Sequence, residues 1–420
     1  MTAASLPILP APAVIDATLR NITEALARDL AGPAATAPPW SAFEWRAARA
    51  AAAMHGVSGL LAGKQLWRGP DDWHAFLNGQ RDHIAQRHAR IEALLCELEE
   101  RLLSRQIAAV ALKGASLFAL GLYAPGERPM ADIDLLVAPA ALETAAGAIE
   151  GLGFTESLRT VKHRVFVPRI RATPAVMGEH AGNDMKIELH EQICEPLPVR
   201  PAALGLPVLG ADARPGLNPY ASTGSLMGHL LLHAAGNMVC RSLRLVQLHD
   251  IALLCPRLSP ADWDLLLSSE GGSAPWWSHP PLALVARYFE GVPGQALARS
   301  ARSCPWVLRR LSSRQLLSDV SLSRVWVEAF PGIEWSRSLV AALGYARTRI
   351  VPSASTLNER RSALHSEPAL SEGDWAGLSQ TRRIVRYLTS RPARPWPLHN
   401  VRTALEQRHE PSEPENTAAS

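Results

Sequence analysis

Asp132 and Asp134 stand two residues apart inside the apolar run Met130-Ala131-Asp132-Ile133-Asp134-Leu135-Leu136-Val137. Read as a strand, the run alternates its side chains, so both carboxylates point to one face, roughly 7 Å apart along the backbone. Two ionised groups on one strand face repel and are costly to desolvate unless a cation sits between them. Hard oxygen ligands in this arrangement suit Mg²⁺ or Mn²⁺. The competing reading is a turn-flanking pair at a strand end that holds no metal. Glu188, in Ile187-Glu188-Leu189-His190, is a third carboxylate between apolar residues, and alternation puts His190 on its face. For His190 two readings stand, a site group or a packed histidine. Upstream, Leu112-Lys113-Gly114-Ala115-Ser116 places a glycine where a strand gives way to a helix. Gly114 permits a tight turn and close approach of backbone to a ligand. The helix opening at Ala115 presents unpaired N–H groups, which favour an anion. Ser116 offers a hydroxyl donor, and Lys113 and Arg128 are cations fit to neutralise a polyphosphate.

The elements around these residues follow from periodicity. Residues 13–30 carry apolar groups at helical spacing. Residues 41–61 form an alanine-rich helix with Ser41 as N-cap. Residues 71–105 read as one long helix with the stripe Ile84, Ile91, Leu94, Leu95, Leu98 and Leu102. From 107 the pattern changes: strands at 107–112, 130–137, 161–167 and 185–190 interleave with helices at 115–122 and from Pro139 to about Leu152. That interleaving predicts an α/β or α+β unit from about 105 to 195. Residues 196–219, rich in proline and glycine, read as a connecting loop. A long helix is expected over 226–254, with shorter ones from Pro260, Pro280, Pro305 and Ser321. The expected organisation is an N-terminal helical region (1–104), an α/β unit (105–200), a C-terminal helical domain (220–350) and a polar, basic tail (351–420) whose last dozen residues are disordered.

Bulk properties exclude several classes. The 420 residues are 20% charged and 47% apolar, an ordinary globular balance, and the net charge of +4 creates no mandate for nucleic acid. Five scattered cysteines contain no CxxC pair, so neither a zinc ribbon nor a disulfide framework is suggested. Met1 to Pro7 lacks a basic n-region, and no run of about 18 apolar residues escapes charge or proline. A cytoplasmic protein with no signal peptide and no membrane partner is therefore expected. His229 and His233 are four apart on a helix, but the intervening residues lack the glutamate of a zinc protease motif, so zinc is not expected, and His233 and Asp250 are expected to organise packing or line the cleft. Arg382, Arg383, Arg386, Arg391 and Arg394 read as a solvated basic segment, with an anionic acceptor as the other reading.

Taken in order, Leu112-Lys113-Gly114, Leu122-Tyr123, Arg128, Asp132 to Val137 and Ile187 to His190 resemble a bacterial nucleotidyltransferase family of the DNA polymerase β-like superfamily. His233 and Leu248-His249-Asp250-Ile251-Ala252-Leu253-Leu254 resemble that family's helical part, and the resemblance spans roughly residues 90–260. Two features depart from the superfamily: Gly114-Ala115 replaces the usual Gly-Ser or Gly-Gly turn, and the interval to Asp132 is longer. The resemblance implies a polymerase β-like catalytic core at 105–200, flanked by helical regions. It implies metal ligation and catalysis by Asp132, Asp134 and Glu188. Nucleotide binding would fall to Lys113, Gly114, Ala115, Ser116, Arg128 and His190. Mg²⁺ or Mn²⁺ is the implied cofactor and an NTP, ATP first, the implied donor. The acceptor would be a small molecule, a modified peptide or a protein. The alternative is a non-catalytic nucleotide- or metal-binding partner or scaffold.

Overall fold

The computed structural model describes residues 9–160, 162–171, 177–198, 200–353, 356–357 and 378–406. Helix α1 (Pro12–Ala31) opens on a proline that fits a first helical turn. Helix α2 (Ala42–His55) is capped reciprocally by Ser41 and Glu44. It stops short of the predicted end at 61. Gly56 takes φ 66°, a conformation suited to glycine, and α3 (Ser58–Lys64) starts afresh. Helix α4 (Asp71–Ser104) runs unbroken as expected, with Asp71 and Asp72 in its first turn favouring the helix dipole. Ile84, Ile91, Leu94, Leu98 and Leu102 form its buried stripe.

A mixed six-stranded sheet follows, in the order β3-β4-β5-β2-β1-β8. Its strands are β1 (Ala108–Ala111), β2 (Asp132–Val137), β3 (Phe154–Arg159), β4 (Arg164–Pro168), β5 (Lys186–His190) and β8 (Gly216–Asn218). Helices α5 (Gly114–Ala119) and α6 (Leu142–Glu150) connect them, α6 behind a short 3₁₀ turn at Pro139–Ala141. A separate hairpin pairs β6 (Cys194–Leu197) with β7 (Arg200–Ala203). The stretch 196–219 is thus not a plain loop. Its hairpin and β8 are short strands whose proline and glycine content hides the alternation that a sequence reading needs. Strand β3 also escapes that reading, because its apolar content is low. The strand expected at 161–167 lies at Arg164–Pro168, with Val161 outside the described residues.

The sheet separates two cores. On one face Ile133, Leu135 and Val137 of β2 join Ala109, Phe166, Ile187 and Leu189 against α4 and α6. On the other, Val110, Leu112 and Leu136 join a larger core built by helices from both ends of the chain. Those helices are α1–α3, α7 (Thr223–Cys240), α8 (Leu245–Leu254), α9 (Pro260–Leu266), α10 (His279–Tyr288), α11 (Gly294–Ser303), α12 (Trp306–Ser312) and α13 (Leu317–Val320); of the later helices α14 (Leu339–Ile350), α15 (Gln380–Thr389) and α16 (Pro395–Glu406), the last adds Val401 and Ala404. The helix predicted over 226–254 is two helices. Arg241 adopts φ 55° and turns the chain, so α8 returns over the sheet. Ser321 begins no helix; it follows α13. Part of the expected tail is built into the fold: Val401 and Ala404 of α16 are fully buried, and Arg49 donates to the Ala404 carbonyl at 3.3 Å. The last dozen residues and most of the polar stretch after Pro352 lie outside the described residues.

Candidate active site

Parallel pairing of β2 with β5 places Asp134 opposite Glu188 and Asp132 opposite Lys186. With Ile133 and Leu135 turned into the α4 side, Asp132 and Asp134 face the larger helical body, as do Glu188 and His190. A cleft of about 260 Å³ opens there between the sheet and α7–α8, and Asp132, Asp134, Glu188, Lys113, Arg128 and Arg244 all line it.

Charge in the cleft is unevenly met. Lys113 Nζ lies 2.8 Å from Asp134 Oδ1, and His190 Nε2 lies 3.0 Å from the same oxygen. Burial opposes ionisation of Asp134, but Lys113 and His190 together hold it well below the usual carboxylate range. Asp132 has no hydrogen-bond or ion-pair partner for its side chain among the described residues; burial and then the Asp134 charge push its pKa up. Burial, Asp134 and Asp132 push Glu188 up to about 8. Lys113 is held above its ordinary value despite burial, because Asp134, Asp132 and Glu188 all favour its charge. One lysine thus faces three carboxylates, and the donor set is all hard oxygen at its centre. That set fits a divalent cation.

The turn ahead of α5 is strained where it meets this charge. Lys113 holds φ 49° and ψ −115°, a region that side-chain-bearing residues rarely occupy. Its N–H donates to Tyr220 Oη at 3.3 Å, and the Tyr220 hydroxyl lies 2.7 Å from His229 Nδ1. A Cβ at Gly114 would sit 2.5 Å from Arg128 Nη1 and 2.6 Å from Met130 Sδ, so those side chains would have to shift to admit it. Ala115 is buried and Ser116 donates its hydroxyl to the Ala111 carbonyl at 2.5 Å, so neither side chain lines the cleft.

Arg128 is held rather than free. Its Nε and Nη2 donate to the two oxygens of Asp250 at 2.7 and 2.8 Å. Tyr123 Oη adds a donor to Asp250 at 2.7 Å and lies 2.9 Å from His249 Nδ1, whose Nε2 is 3.0 Å from Lys64 Nζ. Burial and then Lys64 lower His249 to about 4, so it is neutral near pH 7. Arg87 of α4 ties the approach to both strands: it donates to the Met130 and Asn183 carbonyls at 3.0 and 2.7 Å and pairs with Glu179 at 3.1 Å.

Sequence reasoning missed two groups. Arg244 reaches the cleft from the turn before α8; its Nε donates to the Met54 carbonyl at 3.0 Å, and among the described residues it pairs with no carboxylate. No sequence signal marks it, because its position depends on the left-handed turn at Arg241. His163 Nδ1 lies 3.6 Å from Glu188 Oε2; burial and then His190 lower its pKa to about 4. His229 and His233 do not form a metal pair: His233 Nδ1 lies 3.2 Å from Glu195 and its Nε2 3.1 Å from Asn237, while His229 turns to Tyr220.

The fold is of the α+β class, a mixed sheet carrying three carboxylates on one face beside a glycine turn and buried cations. The chain matches the model of a family described as uncharacterised nucleotidyltransferase over residues 41–270, more than half its length, and it belongs to that family. It is a nucleotidyltransferase, which favours the enzyme over the scaffold reading. No curated protein and no solved structure matches the chain. Among the described residues no helix is long and apolar enough to cross a membrane.

Proposed function

We propose that this enzyme moves a nucleoside monophosphate from an NTP, with ATP the first choice, to a hydroxyl or phosphate oxygen of a small molecule, peptide or protein. The new bond joins the acceptor oxygen to the α-phosphorus; the bond from that phosphorus to the β-phosphate oxygen breaks, and pyrophosphate leaves. The observation that supports this most directly is Asp132, a carboxylate with no hydrogen-bond or ion-pair partner among the described residues, set beside Asp134 and on the strand next to that of Glu188.

Asp132, Asp134 and Glu188 are the residues that would hold Mg²⁺ or Mn²⁺. Such ions supply charge neutralisation at the phosphates and lower the pKa of an attacking hydroxyl. Gly114 lets the phosphate chain approach the backbone. Lys113 supplies positive charge at the carboxylate face, and Arg244, which pairs with no carboxylate among the described residues, supplies a guanidinium to bind a phosphate. Arg128 is a positioning residue: locked on Asp250, it fixes α8 against the Gly114 turn. His190 orients Asp134 through their 3.0 Å contact. Phosphoryl transfer rests mainly on such placement and charge stabilisation.

Calorimetry of each ribonucleoside triphosphate with Mg²⁺ tests the reading, on wild type and on Asp132→Asn/Asp134→Asn. Metal-dependent binding that the variant loses is the expected result. A folded wild type that binds no triphosphate with either Mg²⁺ or Mn²⁺ overturns it.

A further inference from the structure

The histidines beside Glu188 carry a second conclusion. His163 Nδ1, Glu188 Oε2 and His190 Nε2 all lie within 4.8 Å of one another, with Glu188 3.6 Å from the first and 3.8 Å from the second. Strand register makes this cluster. Arg164 pairs with Leu189 across β4 and β5, so the next residue outward on each strand, His163 and His190, stand side by side with ring centroids 5.0 Å apart. Asp134 Oδ1, 3.0 Å from His190 Nε2, lies within reach as a fourth donor.

We propose that His163, Glu188 and His190 form a mixed nitrogen and oxygen metal position next to the paired aspartates, one that takes a transition-metal dication such as Mn²⁺, Co²⁺ or Zn²⁺ in preference to Mg²⁺. The inference rests on the reading of Glu188 as a metal ligand and specifies which metal that ligand serves. Bonds from such ions to imidazole nitrogen and carboxylate oxygen are about 2.0–2.2 Å, so donors around one ion stand roughly 3–4 Å apart. The observed separations need only a small inward movement of side chains. Mg²⁺ strongly prefers oxygen ligands and water, whereas imidazole suits the later divalent metals. The cluster is partly enclosed: His190 is buried, while His163 and Glu188 are half-buried and Glu188 lines the cleft. A metal there has protein donors on one side and access to substrate on the other. A metal at this position replaces the His190–Asp134 hydrogen bond with shared ligation, and its charge meets the carboxylates that Lys113 alone cannot neutralise.

The test uses untagged full-length protein stripped of metal and free of nucleotide. Co²⁺ is titrated with visible absorption as the readout, and Mg²⁺ binding is measured by calorimetry. Wild type is expected to bind Co²⁺ with d–d bands of a nitrogen-containing site and at least about tenfold more tightly than Mg²⁺. His163→Gln is expected to lose those bands or weaken Co²⁺ about tenfold or more. Asp132→Asn, which removes a carboxylate outside the cluster, is expected to keep them. His163 is only partly buried, and a melting curve checks that its variant folds. Equal Co²⁺ spectra and affinity in wild type and His163→Gln overturn the proposal, as does Co²⁺ binding no tighter than Mg²⁺. Loss of Co²⁺ in Asp132→Asn with retention in His163→Gln also overturns it, by placing the ion among the carboxylates alone, and leaves the nucleotidyl-transfer reading standing. Co²⁺ bound through His163 in a protein that binds no triphosphate supports the metal position while the function reading fails.

Discussion

Two buried polar networks border the same cleft and treat charge in opposite ways. Around Asp250 everything is matched: the carboxylate takes two donors from Arg128 and one from Tyr123, and the chain continues through His249 to Lys64. On the sheet face three carboxylates share Lys113, and Asp132 has no partner among the described residues. A completed network ties elements together, here the Tyr123–Arg128 segment to α8. An incomplete one stores repulsion that a ligand can relieve. On the proposed reading, the difference separates the residues that bind from those that build, although both networks border one cleft.

Substitutions should split along that line. The largest effect is expected from Asp132→Asn: nucleotidyl transfer falls roughly 10³-fold, while the melting temperature without metal stays level or rises because a like charge is gone. A marked loss of metal-free stability in this variant would break the comparison, since it would show Asp132 to be a structural partner. Arg128→Met should do the reverse. Removing one side of a buried ion pair leaves Asp250 uncompensated and costs about 3–5 kcal/mol, read as a lower urea midpoint; an unchanged midpoint would show that this network does not hold α8.

Gly114→Ala probes where the two networks touch. Its Cβ meets both Arg128 and Met130, so a cost of about 1–3 kcal/mol is expected, together with weaker triphosphate binding. Normal binding at normal stability would mean that the turn tolerates a side chain. The smallest effect is the pH dependence of metal stabilisation. Glu188 in the metal-free fold titrates near 8, above its ordinary value, through burial, Asp134 and Asp132. Between about 4.5 and 8 the folded state therefore holds a proton that the unfolded state has lost, and metal-free stability falls as pH rises through that window. Mg²⁺ relieves the repulsion, so the rise in melting temperature that it produces should grow from pH 5.5 to 8.5. A rise independent of pH would detach Glu188 from the metal.

Much of the site was legible in the chain because its signals are local. The Asp132–Asp134 spacing, the apolar residues around Glu188 and the Lys113–Gly114 turn each lie within a few residues, where alternation and turn chemistry operate. Long periodic elements such as α4 were equally plain. Helix breaks at Gly56 and Arg241 were not, because apolar periodicity continues across them and only a left-handed residue interrupts the backbone. The strands in 196–219 and the buried helix α16 were hidden for another reason: short segments gain their structure from neighbours rather than from their own pattern.

By itself the sequence determined that Asp132 and Asp134 share a strand face, that a glycine turn leads from β1 into α5 and that α4 is one long helix, since each depends on residues close together in the chain. Only tertiary structure decided that Arg128 is bound to Asp250 instead of waiting for substrate, that Ser116 turns away, that Arg244 joins the cleft and that His163 stands beside Glu188. Those outcomes depend on strand register and on the return of α8 over the sheet. Both are set by packing between residues far apart in sequence, where local periodicity carries no information.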